Sequence, residues 1–333
     1  MTKKIHTIFN ELLLRNESKG SIYSASLLPN SSSHKLGITE IDAPVFFIKS
    51  PLLEHHANIN LDLISVLFNQ SCKLKLEDTL LEDNDVYTVV TLKTNNSELG
   101  WYFIDIIDLV LSKIGNFPDS KVLITEVNKL VELFRNLTKP SKSTIQGLWA
   151  ELFVIDQSKD PEYLIRSWHS GANDIYDFND GCDKIEVKSS SNTIRRHHFS
   201  LNQLNPSAGA RLLIASVFVT SSGVGISLFD LVKNIEARMQ KLELKLKLSE
   251  VVLKILGTDF EKAGDYYFDY QQAIDSYQVY DYREIPCIEN KQIPDEVSNI
   301  HFECDLTSVN PVLNLLSIFP GSKLFKAVDS NGK

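Results

Sequence analysis

Apolar residues recur along this chain with two periods. Helical spacing marks residues 1–20, 100–114 and 121–137, the last two separated by Gly115-Asn116-Phe117-Pro118. Alternation with period two marks 37–49 and 71–93, as in SCKLKLED and DVYTVVTLK. Residues 144–157, TIQGLWAELFVIDQ, predict a further helix with Ser143 or Thr144 as N-cap. Residues 211–220, RLLIASVFVT, form a nearly continuous apolar run rich in β-branched side chains. That pattern predicts a buried central strand, ended by Ser221-Ser222-Gly223. Helices follow near 229–244 and 248–256. Residues 265–283 mix tyrosines with aspartates, which suits a packed amphipathic surface better than base stacking, because the aspartates repel phosphate. Lys139-Pro140-Ser141 is a natural boundary between an N-terminal α+β region, 1–139, and a second region, 140–333.

Candidate chemistry concentrates between residues 174 and 188. Asp174-Ile175-Tyr176-Asp177-Phe178 and Ile185-Glu186-Val187-Lys188 read as two strands around Asn179-Asp180-Gly181. Alternation puts Glu186 and Lys188 on one face and Ile185 and Val187 on the other. A three-residue loop with Gly181 in the left-handed position would set Asp174 opposite Glu186, with Cβ atoms roughly 4.5–5.5 Å apart. Two carboxylates that close repel unless a cation lies between them, and oxygen-only ligands suit a hard ion such as Mg²⁺. A two-residue Asp180-Gly181 turn would instead send Glu186 to the other face. Asp177, Asp180 and Asp183 compete with Asp174 for the cation; the last two also suit a turn. The plainer alternative is a solvated charged face on an edge hairpin.

Three neighbouring features favour a site. Glu151 lies on the apolar stripe of Leu148, Leu152 and Ile155, where a carboxylate is costly unless paired or bound to metal. From Val187 to Phe229 there is no acidic residue, while Lys188, Arg195, Arg196 and Arg211 occur there with His197 and His198. A local basic patch beside carboxylates fits a phosphate-bearing substrate. Ser189-Ser190-Ser191 offers small hydroxyl groups next to Lys188, a pattern equally at home in an ordinary loop. His169 could touch a phosphate, although a structural polar role suits it better.

Taken together, GLWAELFVI, SGANDIYDF, KIEVKSSS and RRHHFSLNQL resemble the PD-(D/E)xK nuclease superfamily of restriction-endonuclease-like enzymes. They are similar, in particular, to a bacterial family of PD-(D/E)xK proteins associated with restriction-modification and phage-defence gene clusters. The similarity is clearest over residues 140–220, and Asn173 stands where the superfamily's name puts proline. The resemblance implies an α/β fold: helix, three-stranded antiparallel meander, helix and a further strand in a mixed sheet. It also implies that Asp174, Glu186 and the Val187 carbonyl ligate Mg²⁺, with Mn²⁺ able to substitute. Glu151 would assist the metal or its water, and Lys188 would orient or deprotonate the attacking water. Ser190, Arg195, Arg196, His198 and Gln203 are candidates for phosphate contact. Gln203 also completes a Ser200-x-x-Gln203 capping box, the better-supported of its two roles.

Composition narrows the partners. The net charge of −9 excludes a broadly basic DNA-coating surface and leaves room for a local cationic cleft. Cys72, Cys182, Cys287 and Cys304 are scattered without a C-x-x-C pair, which argues against zinc and against a disulfide framework. The start lacks the pattern of a signal peptide, and no apolar run reaches membrane-spanning length, so a cytoplasmic protein is expected. Walker A, dinucleotide and nucleophile-elbow motifs are absent. The leading expectation is a Mg²⁺-dependent DNA endonuclease of a restriction or defence system, with defence proteins as partners and a homodimer for double-strand cuts. The alternatives are a non-catalytic module of that fold, binding DNA or a partner protein, and an RNA-directed or exonucleolytic hydrolase.

Overall fold

The computed structural model describes residues 4–18, 22–53, 56–76, 79–82, 85–139, 144–169, 174–294 and 296–328. Ser143, Asn173 and the Pro140-Ser141 part of the expected boundary lie outside the described residues. The chain forms two compact units, Met1–Pro140 and Ser141–Lys333.

The first unit opens with helix α1 (Ile5–Leu14). Its strands are β1 (Ile22–Leu27), β2 (Lys35–Ile38), β3 (Pro44–Lys49), β4 (Ile59–Asn60), β5 (Ile64–Gln70), β6 (Lys73–Leu76), β7 (Thr79–Glu82) and β8 (Tyr87–Leu92). They make one sheet in the order β4-β5-β8-β3-β2-β1-β6-β7, antiparallel except where β1 runs parallel to β6. Helices α2 (Ser97–Ile114) and α3 (Ser120–Asn136) follow. The Asn96 and Asp119 side chains accept the first free amides of these two helices, from Leu99 and Val122. Phe103 of α2 meets Phe46 of β3 on one side and Phe134 of α3 on the other, which ties both helices to the sheet.

The second unit begins with α4 (Ile145–Gln157) and α5 (Pro161–Ser167). Thr144 caps α4 by accepting the Gly147 amide at 3.0 Å. Leu148, Trp149, Leu152, Phe153 and Ile155 are all fully buried, so this helix has no solvent-facing side along its middle turns. Next come β9 (Phe178–Asn179), β10 (Asp183–Ser190), β11 (Arg196–Ser200), the single turn α6 (Leu201–Leu204) and β12 (Arg211–Phe218). A ribbon strand β13 (Ser221–Ser227), helices α7 (Leu228–Arg238), α8 (Leu242–Leu256) and α9 (Phe260–Ala263), and strand β14 (Tyr267–Phe268) lead to α10 (Tyr270–Ser276). The unit ends with β15 (Gln278–Asp281), β16 (His301–Asp305), α11 (Leu315–Ile318) and α12 (Lys323–Val328).

Its central sheet has the order β15-β12-β10-β9. The long apolar strand β12 lies between two neighbours, as its composition predicts, parallel to β10 and antiparallel to β15. The expected three-stranded antiparallel meander is not the pairing found. Strand β11 leaves the sheet and pairs with β16, more than 100 residues on by the facing pair Arg196 and Asp305 (109 apart). Two contacts account for that departure. Ser190 Oγ donates to the Ile194 carbonyl at 3.0 Å and turns the chain at the end of β10. The Arg195 guanidinium is then drawn inward, donating to Ser216 Oγ at 2.7 Å and to the Ser276 carbonyl.

Candidate cation-binding site

The hairpin register decides which acids meet. Lys184 faces Asn179 and Ile185 faces Phe178, so the numbers of facing residues sum to 363 rather than 360. Continuing that ladder brings Asp177 across from Glu186. Asp174 does not occupy the position opposite Glu186 that a three-residue loop would give it. The shift is three residues, an odd number, and an odd shift exchanges the two faces of a strand.

The loop chemistry enforces this register. Asp183 accepts both Nε and Nη2 of Arg211, at 2.5 and 2.7 Å, across the parallel β10–β12 pair. Such a bidentate bond fixes Asp183 as a strand residue. Asp180 Oδ1 then accepts the Asp183 amide at 3.1 Å and Asn179 Oδ1 accepts the Gly181 amide at 3.0 Å, closing the turn with Gly181 at φ 108°. Asp180 and Asp183 thus serve the turn.

Three elements bring the site's acids together in one cluster. From α4 comes Glu151, only 6% exposed. From the segment after α5 come Trp168 and His169, docked along the hairpin: Trp168 bridges to Phe178 and the His169 amide donates to the Asp177 carbonyl at 2.9 Å. From the hairpin come Asp177, Glu186 and Lys188. Ligand atoms of Glu151, His169 and Asp177 all lie within 4.8 Å of one another. Glu151 Oε2 accepts Trp168 Nε1 at 2.7 Å and lies 2.9 Å from His169 Nε2. Asp177 Oδ2 accepts the Val187 amide at 2.7 Å.

Glu186 and Lys188 share a face as the alternation requires, with Lys188 Nζ 2.8 Å from Glu186 Oε1. Gln203 links this pair to the next turn. Its Nε2 donates to Glu186 Oε1 at 2.5 Å, and its Oε1 accepts both Lys188 Nζ at 3.2 Å and the Ser200 amide at 3.0 Å. Capping and site roles therefore coincide in one amide. The other Glu186 oxygen, Oε2, is buried and has no hydrogen-bond partner among the described residues.

The charge balance is uneven. Burial pushes the Glu151 carboxyl up to about 8; the Trp168 hydrogen bond opposes this, and the Glu186 charge adds to it. Asp177 is raised well above the ordinary aspartate range by burial, then by Glu151 and Glu186. Glu186 is raised by burial against the pull of Lys188. Burial lowers His169 and keeps its imidazole neutral near pH 7. Three acids thus crowd beside one ammonium group, and an unpartnered carboxylate oxygen remains. A divalent cation fits the ligand atoms of Glu151, His169 and Asp177 and would offset the repulsion among the neighbouring acids.

The other candidates are placed differently. Asp174 is half-buried ahead of the hairpin, where its charge acts on Lys247 and His169. Val187 touches the group through its amide. Ser190, the last residue of β10, is tied to the following turn through Asn192 and Ile194. Arg195 is 8% exposed and bound to backbone and to Ser216, so it cannot present its guanidinium to a phosphate; the sequence expectation fails there. Arg196 and His198 are exposed on the β11–β16 ribbon, each facing an acid across the ladder: Arg196 Nε to Asp305 at 3.2 Å, His198 Nε2 to Glu303 at 3.5 Å. That face is charge-matched rather than basic.

The sequence named Asp177 only as a competitor of Asp174 and suited His169 to a structural polar role; the structure brings both beside Glu151. The i, i+3 pair Asp180 and Asp183 was a signal for the longer turn, because a side-chain-to-backbone bond of that span closes four residues. For His169 the sequence offers no comparable signal.

The mixed α/β architecture is consistent with a PD-(D/E)XK-like fold, and nucleases of that superfamily usually use divalent metals. The chain belongs to the family described as "Putative PD-(D/E)XK family member, (DUF4420)", whose model matches residues 14–307. Searches of the curated proteins and of the solved structures return no match. No helix of the described residues is long and apolar enough to cross a membrane.

Proposed function

We propose that the protein is a divalent-metal-dependent nuclease that hydrolyses phosphodiester bonds of DNA. The observation that carries this reading is the group of Glu151, Asp177 and Glu186, one buried Glu186 oxygen without a partner among the described residues, with Lys188 on the same strand face. Asp177 takes the place the sequence assigned to Asp174. Glu151, Asp177 and Glu186 would hold the cation, with Mg²⁺ or Mn²⁺ as the physiological candidates. When bound, the ion lowers the pKa of its water and neutralises charge developing on the phosphate. Lys188 orients the attacking water and receives or lends a proton at Nζ. Gln203 keeps Lys188 and Glu186 in one geometry. Restriction or phage defence is the proposed setting, with other defence proteins as partners, and a homodimer would supply the second active site for a double-strand cut.

Plasmid nicking tests the proposal. The parent should convert supercoiled DNA in the presence of Mg²⁺ or Mn²⁺ and not with chelator. Lys188→Ala and Asp177→Asn should nick about a hundredfold or more slower; equal rates for parent and variants would overturn the assignment. The second reading, a non-catalytic module, draws on the charge-matched β11–β16 face and the net charge of −9. No cleavage of DNA or RNA under any metal, with or without neighbouring gene products, would favour it.

A further inference from the structure

A cation held by carboxylates alone would be a site for Mg²⁺, but the cluster contains a nitrogen donor as well. His169 is set by more than chance proximity. Its amide bonds to the Asp177 carbonyl at 2.9 Å, and its neighbour Trp168 pairs with Phe178. Its φ of 40° is the left-handed region, which non-glycine residues rarely enter, though His does so more readily than most. That backbone turns the ring so that Nε2 lies within 4.8 Å of the Glu151 and Asp177 ligand oxygens. A strained backbone that delivers one ring nitrogen to a carboxylate cluster is a feature maintained at a cost.

We propose that His169 Nε2 is a cation ligand and that the site therefore binds Mn²⁺ in preference to Mg²⁺. This rests on the metal-site reading above and goes beyond it by naming the nitrogen ligand and the preferred ion. Mg²⁺ keeps a shell of oxygen ligands and exchanges water for imidazole reluctantly. Mn²⁺ accepts carboxylates equally well and gains from imidazole, as first-row transition ions do. The Glu151 oxygen that now shares Nε2 at 2.9 Å, and an Asp177 oxygen of the same group, complete a mixed nitrogen–oxygen set. Loss of the nitrogen should bring the affinities for the two ions closer together.

The test uses the full-length protein and Mn²⁺ itself as probe, with no nucleic acid. Electron spin-echo envelope modulation of the bound Mn²⁺ should show imidazole ¹⁴N coupling in the parent, and that coupling should disappear in His169→Asn. Competition with Mg²⁺, read by Mn²⁺ electron paramagnetic resonance, should show the Mn²⁺ preference falling roughly tenfold or more in the variant. Bound Mn²⁺ without nitrogen coupling, or coupling that survives in His169→Asn, overturns the proposal and leaves the metal-site reading standing. No bound Mn²⁺ at millimolar concentration overturns both. The parent spectrum decides the ligand even if the variant fails to fold.

Discussion

Glu126 and Glu151 are the same residue type, each on a helix, each 6% exposed. In the first unit Glu126 receives Lys113 Nζ at 2.9 Å and Lys129 Nζ at 3.0 Å. Burial works to raise its pKa, but those two ammonium groups outweigh it and the net shift is downward. In the second unit Glu151 receives an indole and an imidazole and faces two further acids, and its pKa rises to about 8. Surface exposure is equal, but Glu151 lies much deeper in the protein, so stronger desolvation separates the two together with the surrounding charge. A buried carboxylate with its own lysines belongs to the scaffold. One surrounded by other carboxylates calls for a cation from outside the chain.

Removing acids should therefore have opposite consequences in the two places. Asp177→Asn or Glu186→Gln should cut nicking by about 10²–10⁴-fold, the range for losing an electrostatic or acid–base contributor. Asp177→Asn should also raise metal-free stability by about 1–2 kcal/mol, because it relieves repulsion in the cluster, whereas Glu186→Gln strands Lys188 and should lower it. Glu126→Gln should leave nicking unchanged and lower stability by about 1–2 kcal/mol, the worth of hydrogen bonds to a charged group. Denaturant melts and initial rates on the same preparations check all three. If Asp177→Asn destabilises the metal-free protein as Glu126→Gln does, the two carboxylates are alike after all.

The pH dependence of stability separates the pair next. Glu151 has a folded pKa of about 8 against an ordinary value of 4.5. A raised folded pKa means the folded state holds its proton longer. The stabilising contribution is thus complete below 4.5 and is lost as pH climbs through about 8, on the order of a few kcal/mol. Glu126, with a lowered folded pKa, contributes stability above its ordinary 4.5 that is lost as pH falls through its folded value. Urea midpoints of the parent minus Glu151→Gln should decline from pH 5 to pH 8; those of the parent minus Glu126→Gln should decline only on the acid side. A flat Glu151 difference would mean that its charge is already compensated.

Adding the ion should erase the contrast. At a hundredfold excess over Kd, Mn²⁺ should stabilise the parent by about 2.7 kcal/mol, and the Glu126→Gln variant by the same amount. Asp177→Asn combined with Glu186→Gln should show no shift. Thermal melts with and without the ion read this directly, and an equal shift in the double variant would locate the cation elsewhere.

Sequence periodicity carried the elements whose pattern is local. The helix of Glu151 and the central strand at 211–218 stand where their apolar residues put them, and the alternation of Glu186 and Lys188 onto one face holds. What it could not carry was pairing at a distance. Strand β16 enters through contacts about 100 residues from β11, and nothing near residue 195 announces that a guanidinium there turns inward to Ser216 and Ser276. Glu151 was legible as a misplaced charge on an apolar stripe. Asp177 was legible only as a competitor of Asp174, because the hairpin register, fixed by the Asp183–Arg211 bond, decides which aspartate faces Glu186.

The smallest effects belong to the exposed acids and bases of the β11–β16 ribbon, which extend the comparison from buried to solvated charge. Arg196 and His198 lie at 58% and 80% side-chain exposure, opposite Asp305 and Glu303. Solvent screens such pairs, and each contributes about 0–1 kcal/mol. Arg196→Ala should move the urea midpoint by less than that. The facing carboxylates also cancel the field that a phosphate backbone would feel. A residue that touches a phosphate adds about one to the slope of log affinity against log salt. Arg196→Ala and His198→Ala should leave that slope unchanged for a nicked duplex, measured by fluorescence anisotropy from 50 to 200 mM salt. A drop of about one in the slope for either variant would mean that nucleic acid displaces Asp305 or Glu303 from its partner. The ribbon would then join the cation site as substrate-binding surface, and charge matching in the free protein would no longer mark a face as inert.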